Sequence, residues 1–236
     1  MRVALTATIV AGALCCGGYP GLAYDVAPVS GGGTIKGKVI FNGAVPTRTV
    51  IPTKDENVCG GPRKEPLVHL SADKGVQDAV VSLQGIAKGK SWPATGKTPT
   101  IDNKGCIFLP RLQVMQAGKV SVVNSDPVLH NTHGFYDKRT AFNLALPNLG
   151  QSIEVELQRP GTVRIECDSH GWMLGWVYVV DNPYYALTDE AGAFEIKDVP
   201  PGKYSVVANQ EHTGPLTVDV EVKAGETVNL PIELKK

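Results

Sequence analysis

An all-β fold built from β-sandwiches is what three features of this 236-residue sequence predict. Apolar and polar residues alternate with period two along many short segments, the pattern of strands with one buried face. Gly and Pro, 26 and 17 residues, recur between those segments as turn signals. No stretch carries the i, i+3, i+4 apolar stripe of an amphipathic helix.

Along the chain, Arg2 precedes an apolar run from Val3 to Leu14 that is too short to span a bilayer, and small residues follow at Gly21 and Ala23. Residues 1–23 therefore read as a secretory signal peptide cleaved after Ala23. Residues 24–33, YDVAPVSGGG, read as a flexible lead-in. Strands are expected at IKGKVIF (35–41), AVVSL (79–83), LQVM (112–115), KVSVV (119–123), SIEVEL (152–157), TVRIEC (162–167), WVYVV (176–180), FEI (194–196) and YSVVA (204–208). Residues 86–104, rich in Gly, Pro and polar side chains, read as an extended surface loop. Near the end, Val218, Val220 and Val222 alternate with charges, Ala224-Gly225 turns, and Val228, Leu230, Ile232 and Leu234 follow, which predicts a β-hairpin. A boundary at Asp181-Asn182-Pro183 divides a unit over 34–180, with its core at 100–180, from a smaller β-module over 181–236. The two strands within 34–85 are assigned to the first unit, with pairing to 181–236 as the alternative.

Basic and acidic side chains balance at 23 each and are interspersed, so nothing resembles a nucleic-acid footprint. After the leader no apolar stretch is long enough to act as a membrane span, and the mature chain is expected to be periplasmic or secreted. Of the five cysteines, Cys15 and Cys16 leave with the leader, and Cys59, Cys106 and Cys167 remain. Three is an odd number for an oxidising compartment, so a Cys59–Cys106 disulfide is expected, with Cys167 held back as a ligand.

The segment IECDSHGWMLGW sets Cys167, His170 and Met173 three residues apart. Val163, Ile165 and Cys167 share a strand face, so the sulfur points to the interior and a turn can bring His170 and Met173 back towards it. A second imidazole, His130 in the loop NSDPVLHNTHGFY, completes one thiolate, two imidazoles and a thioether, a soft set that suits copper in both oxidation states. Zinc fits less well, because Met is not among its usual ligands. His133 reads as a hydrogen-bonding neighbour, with replacement of Met173 as the fourth donor as the alternative, His69 and His212 read as surface histidines, and Trp172 with Trp176 as a docking patch or, for Trp176, half-buried packing.

GKVSVVNSDPVLHN followed by GTVRIECDSHGWM resembles the cupredoxins, the blue copper proteins, over roughly residues 100–180, and the short Cys-x2-His-x2-Met loop is most similar to amicyanin-type members. The resemblance implies a cupredoxin-like Greek-key β-sandwich in which His130, Cys167, His170 and Met173 hold one copper ion that cycles between Cu(I) and Cu(II). It also implies that the Asn131 side chain braces the Cys-bearing loop and that His170 lies at the surface as the electron port. The segment TDEAGAFEIKDVPPGKY resembles a carboxypeptidase-regulatory-like, transthyretin-like module, and the combination looks like bacterial methylamine-utilisation proteins, a label that implies little about substrate.

The function expected from these features is that of a periplasmic type 1 copper protein carrying one electron between redox partners, a dehydrogenase or a cytochrome. It is not expected to be an enzyme, since four filled ligand positions leave no open one. A near-neutral surface predicts docking through apolar contact near Trp172. Two alternatives stand beside it: a cell-envelope binding or assembly module, and a copper-handling protein in which the metal is structural, stored or absent.

Overall fold

The structure, a computed structural model, describes residues 24–94 and 96–236. The signal-peptide reading of residues 1–23 lies outside the described residues. The all-β class holds: among the described residues the regular elements are strands, apart from one four-residue helix, Glu56–Cys59. No helix among them is long and apolar enough to cross a membrane.

Two separate apolar cores organise the chain. One is built by Cys59 and residues from Ile101 to Val179, the other by residues 35–86 together with 184–234. Around the first, a four-stranded sheet runs in the order Ser152–Leu157, Gly118–Asn124, Thr100–Lys104, Ile107–Leu109. Facing it, a five-stranded sheet runs Arg139–Leu146, His130–Tyr136, Gly161–Cys167, Leu174–Val180, Leu112–Gln116. The alternation read from the sequence sets the faces: Val163, Ile165 and Cys167 are buried while Thr162, Arg164 and Glu166 are less so.

Around the second core, Tyr185–Leu187, Val80–Gln84, Gly202–Gln210 and Gly214–Val222 form one sheet, and Ala193–Val199, Gly33–Phe41 and Thr227–Asn229 the other, with Ile232–Leu234 also on Gly33–Phe41. The assignment of 34–85 to the 100–180 unit is thus corrected. Gly33–Phe41 and Val80–Gln84 pair with C-terminal strands, and the 100–180 sandwich is inserted between two strands of the other. Periodicity fixes which face of a strand is buried, but Ile35, Val39 and Phe41 would satisfy either core.

The C-terminal hairpin is also corrected. Gly214–Val222 pairs with Gly202–Gln210, whereas Thr227–Asn229 and Ile232–Leu234 cross to the opposite sheet and run parallel to Gly33–Phe41. Of the predicted set, Val220, Val222, Leu230, Ile232 and Leu234 are in the core, while Val218 and Val228 pack against it and are only partly buried. Two faces of a sandwich and two strands of a hairpin give the same alternation. The lead-in is held as well: Asp25–Val26 pairs with Lys88–Gly89, and the Tyr24 hydroxyl donates to Lys90 O at 2.6 Å. The expected loop over 86–104 therefore contributes two strands, Lys88–Gly89 and Thr100–Lys104.

Between Gly33–Phe41 and Val80–Gln84 the chain makes an excursion. Thr47–Val50 and Arg63–Pro66 form a hairpin that pairs with no other strand among the described residues, and the helix Glu56–Cys59 sits at its tip. Arg48 and Arg63 both reach Glu65, at 2.6 and 2.7 Å, across this ribbon. Burial pushes Glu65 up, yet the two guanidinium groups outweigh it and hold the carboxyl below its ordinary range. We call residues 47–66 the strap. It lies on the inserted sandwich, because the Cys59–Cys106 disulfide ties its tip to that core.

The two sandwiches also touch through Val80, Leu112 and Tyr178. Beside them, Arg111 of the inserted unit forms an ion pair with Glu211 of the other.

Candidate metal centre

His130 opens one strand and Cys167 closes its neighbour, with Thr132 opposite Cys167 in antiparallel register. His130 was expected in a loop. Its strand went unseen because the buried positions of HNTHGFY are His130, Thr132, Gly134 and Tyr136, a stripe hidden by its polar identities. Gly134 is required there, since a Cβ would meet the Phe142 ring at 2.4 Å. Beyond Cys167 the turn closes through the His170 N–H to Cys167 O and the Met173 N–H to His170 O, at 3.2 and 2.9 Å.

The four residues singled out in the sequence are all buried: His130 and His170 at 0%, Cys167 at 1% and Met173 at 2% exposure. Three converge on one point. His130 Nδ1 lies 3.1 Å from His170 Nδ1, and Cys167 Sγ lies 3.9 and 3.7 Å from those two nitrogens. The centre of that triangle is about 2.1 Å from each corner, the length of a metal–imidazole bond and about 0.2 Å short of a metal–thiolate bond. Met173 belongs to the same core cluster and faces a cavity of about 390 Å³ between the sandwiches, lined also by Trp172, Trp176 and Phe108.

The outer edges of both rings are fixed by carboxylates. His130 Nε2 meets Asp126 Oδ2 at 2.9 Å, and His170 Nε2 meets Asp55 Oδ2 at 3.0 Å. A carboxylate only accepts, so each Nε2 is the donor, and in a neutral ring Nδ1 is then a bare lone pair. Burial drives His130 below its ordinary value, against the opposing pull of Asp126, which favours the neutral ring. Burial would push Asp126 up, but the backbone N–H groups of Cys106 and Gly105, with His130, outweigh it and hold the carboxyl low. With both rings neutral, two lone pairs face each other across 3.1 Å, an arrangement that repels unless a cation, a proton or a metal ion, sits between them. The donors present therefore fit a soft or borderline metal, held by His130, Cys167 and His170.

Cys167 receives the Asn131 backbone N–H at 3.3 Å. Burial pushes its thiol up, so a metal must displace a proton to bind there. Asn131 braces the loop through its main chain, its carbonyl accepting from the Asp168 N–H at 3.3 Å. The side-chain brace expected of it is not made: Oδ1 is buried without a hydrogen-bond partner among the described residues. His133 faces away from the triangle, its Nδ1 3.1 Å from Asp168 and its Nε2 3.0 Å from Thr140.

The expected surface position of His170 is corrected. The strap covers it, with Asp55 on its outer nitrogen. Asp55 stands at the N-cap of the four-residue helix but makes no side-chain cap bond; its carboxylate goes to His170 instead. Trp172 is half-buried, its ring 5.1 Å from that of His170, so it lines the cleft between the sandwiches rather than an open patch. The Cys59–Cys106 disulfide is present.

Asp126 and Asp55 were missed in the sequence. Asp126, four residues before His130 in a Ser-Asp-Pro turn, was legible as a partner for a ring reached by a short loop; Asp55, 115 residues from His170, was not. Asn124 sets the loop that carries both Asp126 and His130, donating to Val128 O and Leu146 O and accepting from the Asp126 N–H. Replacing Asp126 by Asn should weaken metal binding about 10–100-fold, read by competition with a chromophoric chelator, because the carboxylate no longer holds the ring tautomer. Unchanged affinity would show that the ring is held by packing alone.

No protein-family model matches the chain, and no curated protein matches it. Among solved structures it is similar to a purple cupredoxin from Nitrosopumilus maritimus, 24% identical over 35% of this chain and 99% of that one, with a TM-score of 0.31. It is similar to amicyanin from Paracoccus versutus, 18% identical over 37% of this chain and 85% of that one, with a TM-score of 0.33. A copper-containing nitrite reductase from Thermus scotoductus is 20% identical over 38% of this chain, with a TM-score of 0.32, and only 25% of that enzyme is spanned.

Proposed function

We propose that the chain is a mononuclear copper protein of the cupredoxin kind that carries one electron between redox protein partners in the periplasm, and that it is not an enzyme. The observation that carries the metal assignment is the convergence of two Nδ1 atoms and a thiol sulfur on one buried point, each ring held from behind by a carboxylate. His130, Cys167 and His170 would hold the ion, and Met173, buried beside them, is the candidate for the weak fourth donor. Bound copper supplies a one-electron couple between Cu(I) and Cu(II). The chain supplies rigidity and dryness: adjacent strands fix His130 and Cys167, and the strap excludes water from His170. With that edge covered, the outward path we favour passes by Trp172 to the cleft. The second β-module, of carboxypeptidase-regulatory-like type in this proposal, forms the far wall of that cleft.

Burial of His170 under Asp55 favours a second reading, in which the site stores or delivers copper and the covered edge retains it. Colour and electrochemistry separate the two. Mature protein given one equivalent of Cu(II) should become intensely coloured, show the narrow hyperfine splitting of a copper–thiolate centre by electron paramagnetic resonance, and be reduced reversibly by one electron. A colourless complex that yields Cu(I) to a chelator supports storage, and no binding at all ends both.

A further inference from the structure

We propose that Cys59, Cys106 and His170 form a second soft-metal site when the disulfide joining the two cysteines is reduced, so that the covering strap is itself a thiol-dependent metal ligand. The two sulfurs and a ring nitrogen of His170 lie within 4.8 Å of one another, all three residues buried. Two thiolates with one imidazole are the donors that select Cu(I) over hard cations. The disulfide lies beside His170, and its Cys106 also belongs to the cluster Cys106, Asp126, His130, whose ligand atoms are equally close.

The setting also makes reduction feasible. Among the described residues the strap's hairpin pairs only with itself, and an isolated two-stranded ribbon has little stability of its own. Its tip is fastened by the disulfide, by the hydrogen bond from His170 to Asp55 and by the packing of Val58 on the inserted core. Cys59 ends the four-residue helix, and the Gly60–Pro62 stretch after it is exposed. Local opening would expose the sulfur while both sandwiches stay folded. The reductant is a dithiol. Its thiolate attacks one sulfur to give a mixed disulfide, and its second thiol then closes the cyclic disulfide. Two electrons pass to the chain, and Cys59 and Cys106 end as thiols. A metal ion displaces their two protons on binding.

The proposal stands apart from the first site, with which it shares only His170, and the test keeps them apart. The double variant His130→Ala/Cys167→Ser removes the first donors and leaves the second set whole. Oxidised and dithiol-reduced forms of it, freed of reductant, are titrated anaerobically with Cu(I) against a chromophoric chelator. The oxidised form should bind none and the reduced form one ion per chain, with two fewer thiols open to alkylation. Adding His170→Ala should weaken that binding about tenfold or more. Equal binding by oxidised and reduced forms, or binding that survives Cys59→Ala/Cys106→Ala in the same background, overturns the proposal. So does loss of the β circular-dichroism signal on reduction, since the site then has no fold to hold it. Oxidised wild-type protein reports on the first site alone; its failure to bind copper would overturn that reading and leave this one standing.

Discussion

Copper-loaded Cys167→Ser protein is expected to be colourless, and to hold copper more than about 100-fold more weakly than the wild type, beyond the loss typical of an outer-sphere change. The sulfur is one corner of the donor triangle and the one that makes the set soft. A serine hydroxyl keeps its proton at neutral pH and offers a hard, weak donor in its place. The fold should hardly notice: the Asn131 N–H that donates to Sγ can donate to Oγ, so stability should stay within about 1 kcal/mol. Absorption spectra, chelator competition and thermal melts on one preparation check all three parts. If colour persists in the serine variant, the thiolate is not a ligand and the electron-carrier proposal fails.

The largest effect on stability is expected at Arg111→Ala. Glu211 is almost wholly buried, its side chain only 7% exposed, and its sole close cationic neighbour among the described residues is Arg111. Both carboxylate oxygens lack a hydrogen-bond partner there, so the ion pair carries the compensation by itself. Removing one member of a buried pair strands the other charge, at a cost of about 3–5 kcal/mol. The lower end is the better expectation because Arg111 is a third exposed. For a chain of this size that lowers Tm on the order of 10 °C. The double variant Arg111→Met/Glu211→Leu should recover most of the loss, since an apolar pair of similar volume fills the same space without a charge. A thermal melt of Arg111→Ala within 2 °C of the wild type would mean that Glu211 reaches solvent by a small rearrangement.

The sequence was most informative where one rule decided the outcome. Alternation alone placed Cys167 at a strand end facing inward, and the spacing of Cys167, His170 and Met173 put all three into one buried turn. It was silent where a choice depended on partners far along the chain. Ile35 and Val39 announce a buried face but not which sheet completes it, and Val220 and Ile232 look like one hairpin although they belong to opposite sheets. The covered state of His170 had no local sign. It depends on Asp55 reaching across 115 residues, from a strap that carries no motif of its own. His130 fell between these cases: its chemistry was visible and its strand was not, because the alternation of HNTHGFY runs through polar side chains.

The two connections of the inserted sandwich are neighbours in space: Tyr185–Leu187 lies beside Val80–Gln84, and the Leu83 N–H donates to Tyr184 O at 2.9 Å. Such an insert looks as though it could be cut out and moved to another host with a short joint left behind. It is not portable. Asp55 and Cys59 come from the host's share of the chain, so a transplanted insert would arrive with a naked imidazole at its rim and Cys106 unpaired. Inheritance of the donor triangle and inheritance of its shield are therefore separate events, and only the intact interleaved chain carries both.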